Sequence, residues 1–153
     1  MSRSDLGVRL RAYEPRDEAA AIALWLRAWQ VAYRQIDFAA RLDWWRTRWR
    51  NELVPVTKIV IAEADCDMVG FLTVDPTTLY LDQIVVAPER WRSGIGAMLI
   101  AEAKRLSPAG VDLDVNTDNI RAIKFYERLG FSIFGAGVNA ISGKPVHCMR
   151  WRP

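Results

Sequence analysis

The fold is decided by LDQIVVAPERWRSGIGAMLIAEAKR, residues 81–105. A short apolar strand centred on residues 84–86 runs into Pro88, and a helix opens at Ser93–Gly94 after a basic turn. At the start of a helix the first N–H groups have no acceptor within the helix, and the helix dipole adds partial positive charge. The turn is therefore predicted to bind an anion such as phosphate.

Two glycines and two arginines in this turn favour the binding of an anion. Gly94 and Gly96 let the backbone approach an anion because neither carries a Cβ atom, while Arg90 and Arg92 add charge beside it. The turn is not a P-loop, because no Gly-Lys-Ser/Thr follows the first glycine. It is not a dinucleotide fingerprint either, since Leu99 stands where the third glycine would fall. A glycine pair before a helix is also compatible with a simple tight connection, so this turn alone leaves the function open.

A second strand and helix follow in VDLDVNTDNIRAIKFYERLGF, residues 111–131. Apolar and acidic residues alternate over residues 111–115, which predicts a strand. Residues 116–119 break the alternation, with Asp118 or Asn119 placed to cap the helix that follows. Gly130 is predicted to stand just past the end of that helix.

Together these two segments resemble the cofactor motifs of the GNAT N-acetyltransferases. In that family the first motif is usually Q/R-x-x-G-x-G/A after a strand ending V-x-P, and the second is N-x-x-A-x-x-F/L-Y-x-x-x-G-F. The resemblance covers roughly residues 57–151, and Trp91 departs from it by occupying the Q/R position. The matching residues are Val86, Pro88, Gly94 and Gly96 in the first motif, and Asn119, Ala122, Phe125, Tyr126, Gly130 and Phe131 in the second.

The resemblance implies a single α/β (α+β) domain over residues 1–153, with a mixed six- to seven-stranded sheet flanked by about four helices. It also implies an acetyl-CoA-dependent enzyme without a metal, which transfers acetyl directly to a primary amine of a small molecule or peptide. The implied cofactor residues are Ile84, Val85 and Val86 along the pantetheine arm, Trp91, Arg92, Ser93, Gly94, Ile95, Gly96 and Ala97 around the pyrophosphate, Asn119 on the pantetheine arm, Lys124 at the 3′-phosphate, and Tyr126.

The resemblance makes Tyr126 the general acid that protonates the departing thiolate of CoA. Two carboxylates are candidates for the general base, Asp82 on the cofactor strand and Asp114 twelve residues before Tyr126. Alternation along the strand predicts that Asp82 shares a face with Ile84 and Val86. A relay through water is a third possibility for the base. His147, Glu63 and Asp75 are weaker candidates.

The remaining chain predicts an alternation of strands and helices with no repeat. Residues 41–50 interleave four arginines with three tryptophans, a composition that also suits single-stranded nucleic acid. An amphipathic helix that buries Phe38, Leu42, Trp45 and Trp49 explains them more simply. Since Trp44 and Trp45 are adjacent, at least one of them is expected to meet solvent, a ligand or a partner.

The other predicted elements follow from the same patterns. Helices are predicted over residues 16–33 and 38–53, and strands over 8–12, 58–62, 69–74, 79–86 and 146–151. A further strand is predicted over 131–134, followed by a turn beside Gly135 and Gly137.

Composition limits the classes of function. With 51% hydrophobic and 25% charged residues the composition is typical of a globular protein. The net charge of +3 is too mild and too evenly spread to indicate a nucleic-acid partner. Two cysteines and one histidine give no metal-like spacing, so free thiols and a reducing, cytoplasmic setting are expected. No apolar run approaches the ~20 residues of a membrane span. A homodimer and a non-catalytic module that binds acyl-CoA both stay open as alternatives.

Overall fold

The computed structural model describes residues 7–140 and 142–153, which form one seven-stranded mixed sheet with helices on both faces. In this part of the chain the strand order is β1-β2-β3-β4-β5-β7-β6. The strands are β1 (Arg9–Ala12), β2 (Lys58–Ala64), β3 (Asp67–Asp75), β4 (Tyr80–Val86), β5 (Val111–Asn116), β6 (Ser132–Val138) and β7 (Pro145–Trp151). The α-helices are α1 (Glu18–Ala32), α2 (Leu42–Arg48), α3 (Ile95–Leu106) and α4 (Ile120–Arg128), and α2 continues as a π-helical turn over Trp49–Leu53. This arrangement agrees with the predicted fold class.

The centre of the sheet changes direction between β4 and β5. Strands β1 to β4 pair antiparallel in chain order, whereas β4 and β5 run parallel. These two strands share one registered pair, Tyr80 with Asp112, and the Asp112 N–H donates to Leu79 O at 2.7 Å. On its other edge β5 pairs with β7 along its whole length. The strands β4 and β5 therefore diverge after their first contact.

The two faces of the sheet carry separate cores. Side chains alternate between the faces along a strand, so Phe71 and Leu72 of β3 enter different cores. The Leu72 core packs against α3 and α4, and the Phe71 core packs against α1 and α2. Because β3 is covered on both faces, its sequence is almost continuously apolar.

Aromatic packing explains the Arg/Trp segment. Trp25 of α1 stacks on Trp45 of α2 with ring centroids 4.6 Å apart, and Trp49 is fully buried beside them. Trp44, by contrast, is 49% exposed, which confirms that the adjacent tryptophans face different surroundings. The predicted amphipathic helix is therefore correct. Its arginines form ion pairs, Arg46 with Asp43, Arg48 with Asp82 and Arg50 with Glu18.

One turn prediction was wrong. Gly135 and Gly137 do not flank a turn but lie inside β6, which pairs with β7 at the edge of the sheet. A register irregularity between Ile133 and Gly135 accommodates them, as glycines in strands often mark such places. The turn itself comes later, where Asn139 N–H donates to Lys144 O at 2.8 Å.

Within the described ranges, no helix is long and apolar enough to cross a membrane.

Gly70 of β3 provides a test of how tightly the sheet packs. A Cβ atom at Gly70 would lie 2.9 Å from Val85 O and 3.3 Å from Leu99 Cδ1. Since Val85 O belongs to the backbone of a paired strand, it cannot yield easily. We expect Gly70→Ala to lower the free energy of unfolding by about 1–3 kcal/mol in urea titrations. Gly137→Ala is the matched control, because its Cβ would lie at an ordinary 3.6 Å from Val146 Cγ2. Equal losses in both variants would contradict this account.

Candidate active site

A cavity of about 430 Å³ opens where β4 and β5 diverge. Its size is typical of a site for a small molecule. The walls come from both sides of the sheet, with Trp25 and Trp29 of α1 on one side and Tyr126 of α4 on the other. Residues 80–84 of β4 and 113–116 of β5 form the middle of the wall. The cavity therefore passes through the gap in the sheet and is open to the elements on both faces.

The backbone of β4 is exposed to this gap. Strand N–H and C=O groups point alternately to the two neighbouring strands, and β3 satisfies those on one side. After Tyr80, the groups that face β5 have no strand partner among the described residues. An extended polar chain could bond to them as an added strand does. The side chains of residues 84–86 point to both faces of the sheet. Ile84 and Val86 pack on the Leu72 core under α3 and α4, and Val85 packs on the Phe71 core under α1 and α2.

Tyr126 occupies the inner face of α4. Its ring packs against Phe125 and Phe131, and the residue is only 8% exposed. No hydrogen bond to the hydroxyl is formed within residues 7–140 and 142–153, although the side chain lines the cavity. Burial raises the pKa of Tyr126 above its ordinary value, so the phenol keeps its proton at neutral pH. The site thus contains a neutral O–H group that is available to a ligand.

Asp114 lies on the opposite face of the sheet. Its neighbours Leu113 and Val115 enter the α3 and α4 core, so alternation directs Asp114 towards the α1 and α2 side. The carboxylate is exposed and lines the cavity. The Tyr80 hydroxyl donates a hydrogen bond to its Oδ2 atom at 3.0 Å.

Asp82 does not have the predicted orientation. Thr73 and Val74 of β3 pair with Gln83 and Leu81, so Asp82 is the extra residue of a β-bulge. The bulge changes the alternation, and Asp82 contacts α2 instead of sharing a face with Ile84 and Val86.

The Asp82 carboxylate is held by an arginine and an amide. Arg48 of α2 binds it with two guanidinium nitrogens, one of them at 2.8 Å, and Gln83 Nε2 donates to it at 2.9 Å. These contacts raise the pKa of the Arg48 guanidinium and keep it charged. Asp82 is therefore part of an ion pair at the cavity wall.

The turn that is predicted to bind an anion contains two residues in the left-handed region, Arg92 with φ +65° and Gly94 with φ +96°. Helix α3 begins at Ile95, one residue later than predicted, and the Met98 N–H donates its first helical bond to Gly94 O at 3.1 Å. The amides of residues 95–97 precede that bond and so have no acceptor inside the helix. The turn therefore has the geometry that an anion requires.

Gly96 has a further role that the sequence did not indicate. A Cβ atom at this position would lie 3.1 Å from Phe125 Cζ, so the absence of a side chain lets α3 approach α4. The motif glycine thus serves helix packing as well as access to the turn.

Trp91 stands where the family pattern has Gln or Arg. Its indole Nε1 donates to Val86 O at 2.8 Å, while the ring stays 41% exposed. The hydrogen bond ties the turn to the end of β4, so Trp91 shapes the turn through a backbone contact instead of a charge.

The other predicted residues divide by position. Asn119 caps α4, since its side chain accepts from Ala122 N at 3.2 Å, and it also lines the cavity. Lys124 and residues 91–97 lie outside the cavity, as does His147. The carboxylates of Glu63 and Asp75 are engaged elsewhere, with Arg11 and with Thr77 N respectively.

Residues 19–131 match the model of the Acetyltransferase (GNAT) family. The chain belongs to this family. It is 27% identical to the peptidyl-lysine N-acetyltransferase YjaB of Salmonella typhimurium over 139 residues, which cover 90% of this chain and 92% of that protein. This membership confirms the prediction of an acetyl-CoA-dependent N-acetyltransferase.

Two solved structures show the same fold. The ribosomal-protein-S18-alanine N-acetyltransferase of Escherichia coli aligns with a TM-score of 0.75 at 20% identity, over 95% of this chain and 93% of that one. The PaiA N-acetyltransferase of Thermoplasma acidophilum, in complex with coenzyme A, aligns with a TM-score of 0.73 at 19% identity, over 95% and 99%.

The tyrosines of the folded enzyme should ionise late. The pKa values of all four, Tyr13, Tyr33, Tyr80 and Tyr126, are raised above 10, mainly by burial. We expect little phenolate absorbance in the native protein at pH 10, and ordinary titration once it is unfolded in guanidinium chloride. The tyrosine pKa values are raised only in the folded state. The contribution of these groups to the free energy of unfolding is therefore complete below pH 10 and is lost as the pH rises further. A native titration with its midpoint at pH 10 would contradict the burial of these groups.

Proposed function

We propose that this enzyme acetylates the ε-amino group of peptidyl lysine. The observation that carries the proposal is the gap between β4 and β5, which joins the Tyr126 wall to the Asp114 wall in one cavity. The donor enters from the α3 and α4 side, and the amine enters from the α1 and α2 side. The likeness to YjaB, a peptidyl-lysine N-acetyltransferase, supports the choice of acceptor.

The residues of the donor side suit acetyl-CoA. The strand formed by Ile84, Val85 and Val86 lies along the pantetheine arm, which bonds to the Ile84 backbone and the Val86 N–H on the side that faces away from β3. The turn over residues 91–97 holds the pyrophosphate, with the amides of residues 95–97 lacking an acceptor inside the helix. Asn119 assists at the pantetheine arm, and Lys124 is exposed on α4, where it can approach the 3′-phosphate. The coenzyme A complex of the related PaiA structure supports this assignment. When bound, acetyl-CoA supplies an activated acetyl group as a thioester.

Tyr126 acts as the general acid. Its hydroxyl is neutral and unpartnered in the described chain, so it can give a proton to the sulfur that leaves when the amine attacks. A regulatory module without turnover has no need of a buried phenol held free in this way. The proposal therefore favours an enzyme over the non-catalytic alternative.

Asp114 is the preferred general base. It faces the amine side and receives a hydrogen bond from Tyr80, which leaves it capable of taking a proton directly or through water. Asp82 is neutralised by Arg48 and bonded by Gln83, so using it as a base would disrupt an ion pair. We instead assign Asp82 a structural role, in which its ion pair with Arg48 holds α2 against β4.

Aromatic side chains form the amine side of the cavity. Trp29 stacks on Tyr33 with centroids 5.5 Å apart, and the half-exposed Trp44 stands at the rim. Aromatic faces accept an unbranched aliphatic stem and attract a cationic head. A lysine side chain has both features.

The proposal includes one domain, a reducing compartment and a homodimer. Cys66 and Cys148 are free thiols, as is usual for cytoplasmic proteins. The edge strand β6 exposes Ile133 and Val138, which a second copy would cover.

Gly94→Val tests the anion-binding turn. A β-branched residue is strained at φ +96° and would distort the turn, so we expect the affinity for acetyl-CoA to fall at least tenfold by calorimetry. Gly7→Val is the matched control, since Gly7 also has a positive φ of +71° but has no neighbour within 4 Å. Wild-type affinity in Gly94→Val would place the pyrophosphate elsewhere.

Turnover on peptides tests the reaction itself. We expect acetylation of a lysine peptide with a free ε-amine, and none when that amine is already acetylated. Tyr126→Phe should lower kcat by about 10²-fold or more with little change in KM for acetyl-CoA, because only the proton donor is lost. Asp114→Asn should lower kcat. Asp82→Asn should leave the acid limb of the pH–rate profile in place.

If the enzyme preferred an N-terminal α-amine, that amine would replace lysine as the proposed acceptor. Full activity in Tyr126→Phe would show that Tyr126 is not the general acid.

A further inference from the structure

Tyr80 stands at the fork of the sheet, where β4 and β5 make their single registered contact. It is the first residue of β4 and pairs with Asp112. From there its hydroxyl reaches two residues along β5 to the Oδ2 atom of Asp114, at 3.0 Å. Tyr80 belongs to neither cofactor motif, and its side chain lines the cavity.

Cys148 lies on the other neighbouring strand, β7, directly opposite Asp114 in the register. Burial and the nearby Asp114 carboxylate raise the pKa of the Cys148 thiol, so the thiol stays neutral. The hydrogen bond to Asp114 therefore comes from Tyr80, while β7 places a neutral side chain beside the carboxylate.

We propose that Tyr80 is a positioning residue that orients the Asp114 carboxylate for the acceptor amine. The inference rests on the proposed function, in which Asp114 is the base. A hydrogen bond donated to a carboxylate stabilises its charged form, and holding one oxygen fixes the direction of the other. The acceptor ammonium then meets a carboxylate in one orientation.

The charged groups near Asp114 already have partners. Asp112 on β5 pairs with Arg152 at 2.7 Å and lies 4.0 Å from Arg150, and Asp82 on β4 is bound by Arg48. These arginines are engaged with other carboxylates, which leaves Tyr80 to hold Asp114. Burial and the charges of Asp114 and Asp82 raise the pKa of Tyr80, so it remains a donor over the whole pH range of an assay.

Tyr80→Phe removes the hydroxyl and keeps the ring. We expect the titration midpoint measured for Asp114 to move to higher pH, since one hydrogen bond to the charged form is lost. The measurement is an NMR titration of the side-chain carboxyl carbons in protein labelled at aspartate, with Asp114→Asn to assign the signal. The acid limb of kcat/KM should move to higher pH by the same amount. Tyr13→Phe is the control, because the Tyr13 hydroxyl contacts Trp49 and no carboxylate.

The outcomes separate this inference from the proposed function. An unchanged Asp114 midpoint in Tyr80→Phe overturns the role of Tyr80, whatever the activity of the enzyme. A shifted midpoint with an unshifted acid limb also overturns it, because Asp114 would then not be the base. Loss of the acetyl-CoA-induced rise in Tm would instead signal failure of the donor site. If Tyr80→Phe does not fold, Tyr80→Met removes the same hydroxyl and must give the same shift.

Discussion

The divergence of β4 and β5 is the constraint on which the rest of the structure depends. Parallel neighbours normally bond along their whole length, but here pairing stops after Tyr80 and Asp112. Unpaired backbone groups are costly in a dry interior, so the gap has to be wet or filled by a ligand. A substrate that bonds like a strand satisfies the same groups that the missing pairing leaves open. The divergence thus creates the site and selects an extended polar chain to fill it.

The gap also lets residues from both sides of the sheet line one cavity. Tyr126 belongs to the core under α3 and α4, while Asp114 faces the helices α1 and α2 on the other side. A continuous sheet would keep the proposed acid and the proposed base apart on these two faces. Where the strands separate, one ligand can meet both, and donor and acceptor can enter from opposite sides without competing for space.

Local patterns made the donor side predictable from the sequence. Motif spacing marked Gly94 as a special position before α3 and Asp118 or Asn119 as the cap of α4, because both features depend on residues close in the chain. The structure shows a positive φ at Gly94 and the cap at Asn119. The acceptor side depends on contacts between distant residues. Alternation along β4 predicted the wrong face for Asp82 because the bulge is set by pairing with β3. Nothing near Tyr80 in the sequence indicates a bond to a residue 34 positions away.

The bulge at Asp82 links α2 to β4. Arg48 lies on α2, whose residue Trp44 lines the proposed amine side of the cavity, and its guanidinium binds the bulged carboxylate. Breaking this half-buried pair would leave Arg48 with only the exposed Glu52 as a partner and Gln83 without its acceptor, which costs more than losing an exposed pair. The ion pair therefore fixes the distance between α2 and β4. A carboxylate with this structural task is a poor choice for a group that must gain and lose a proton in each turnover, and Asp114 is not bound in this way.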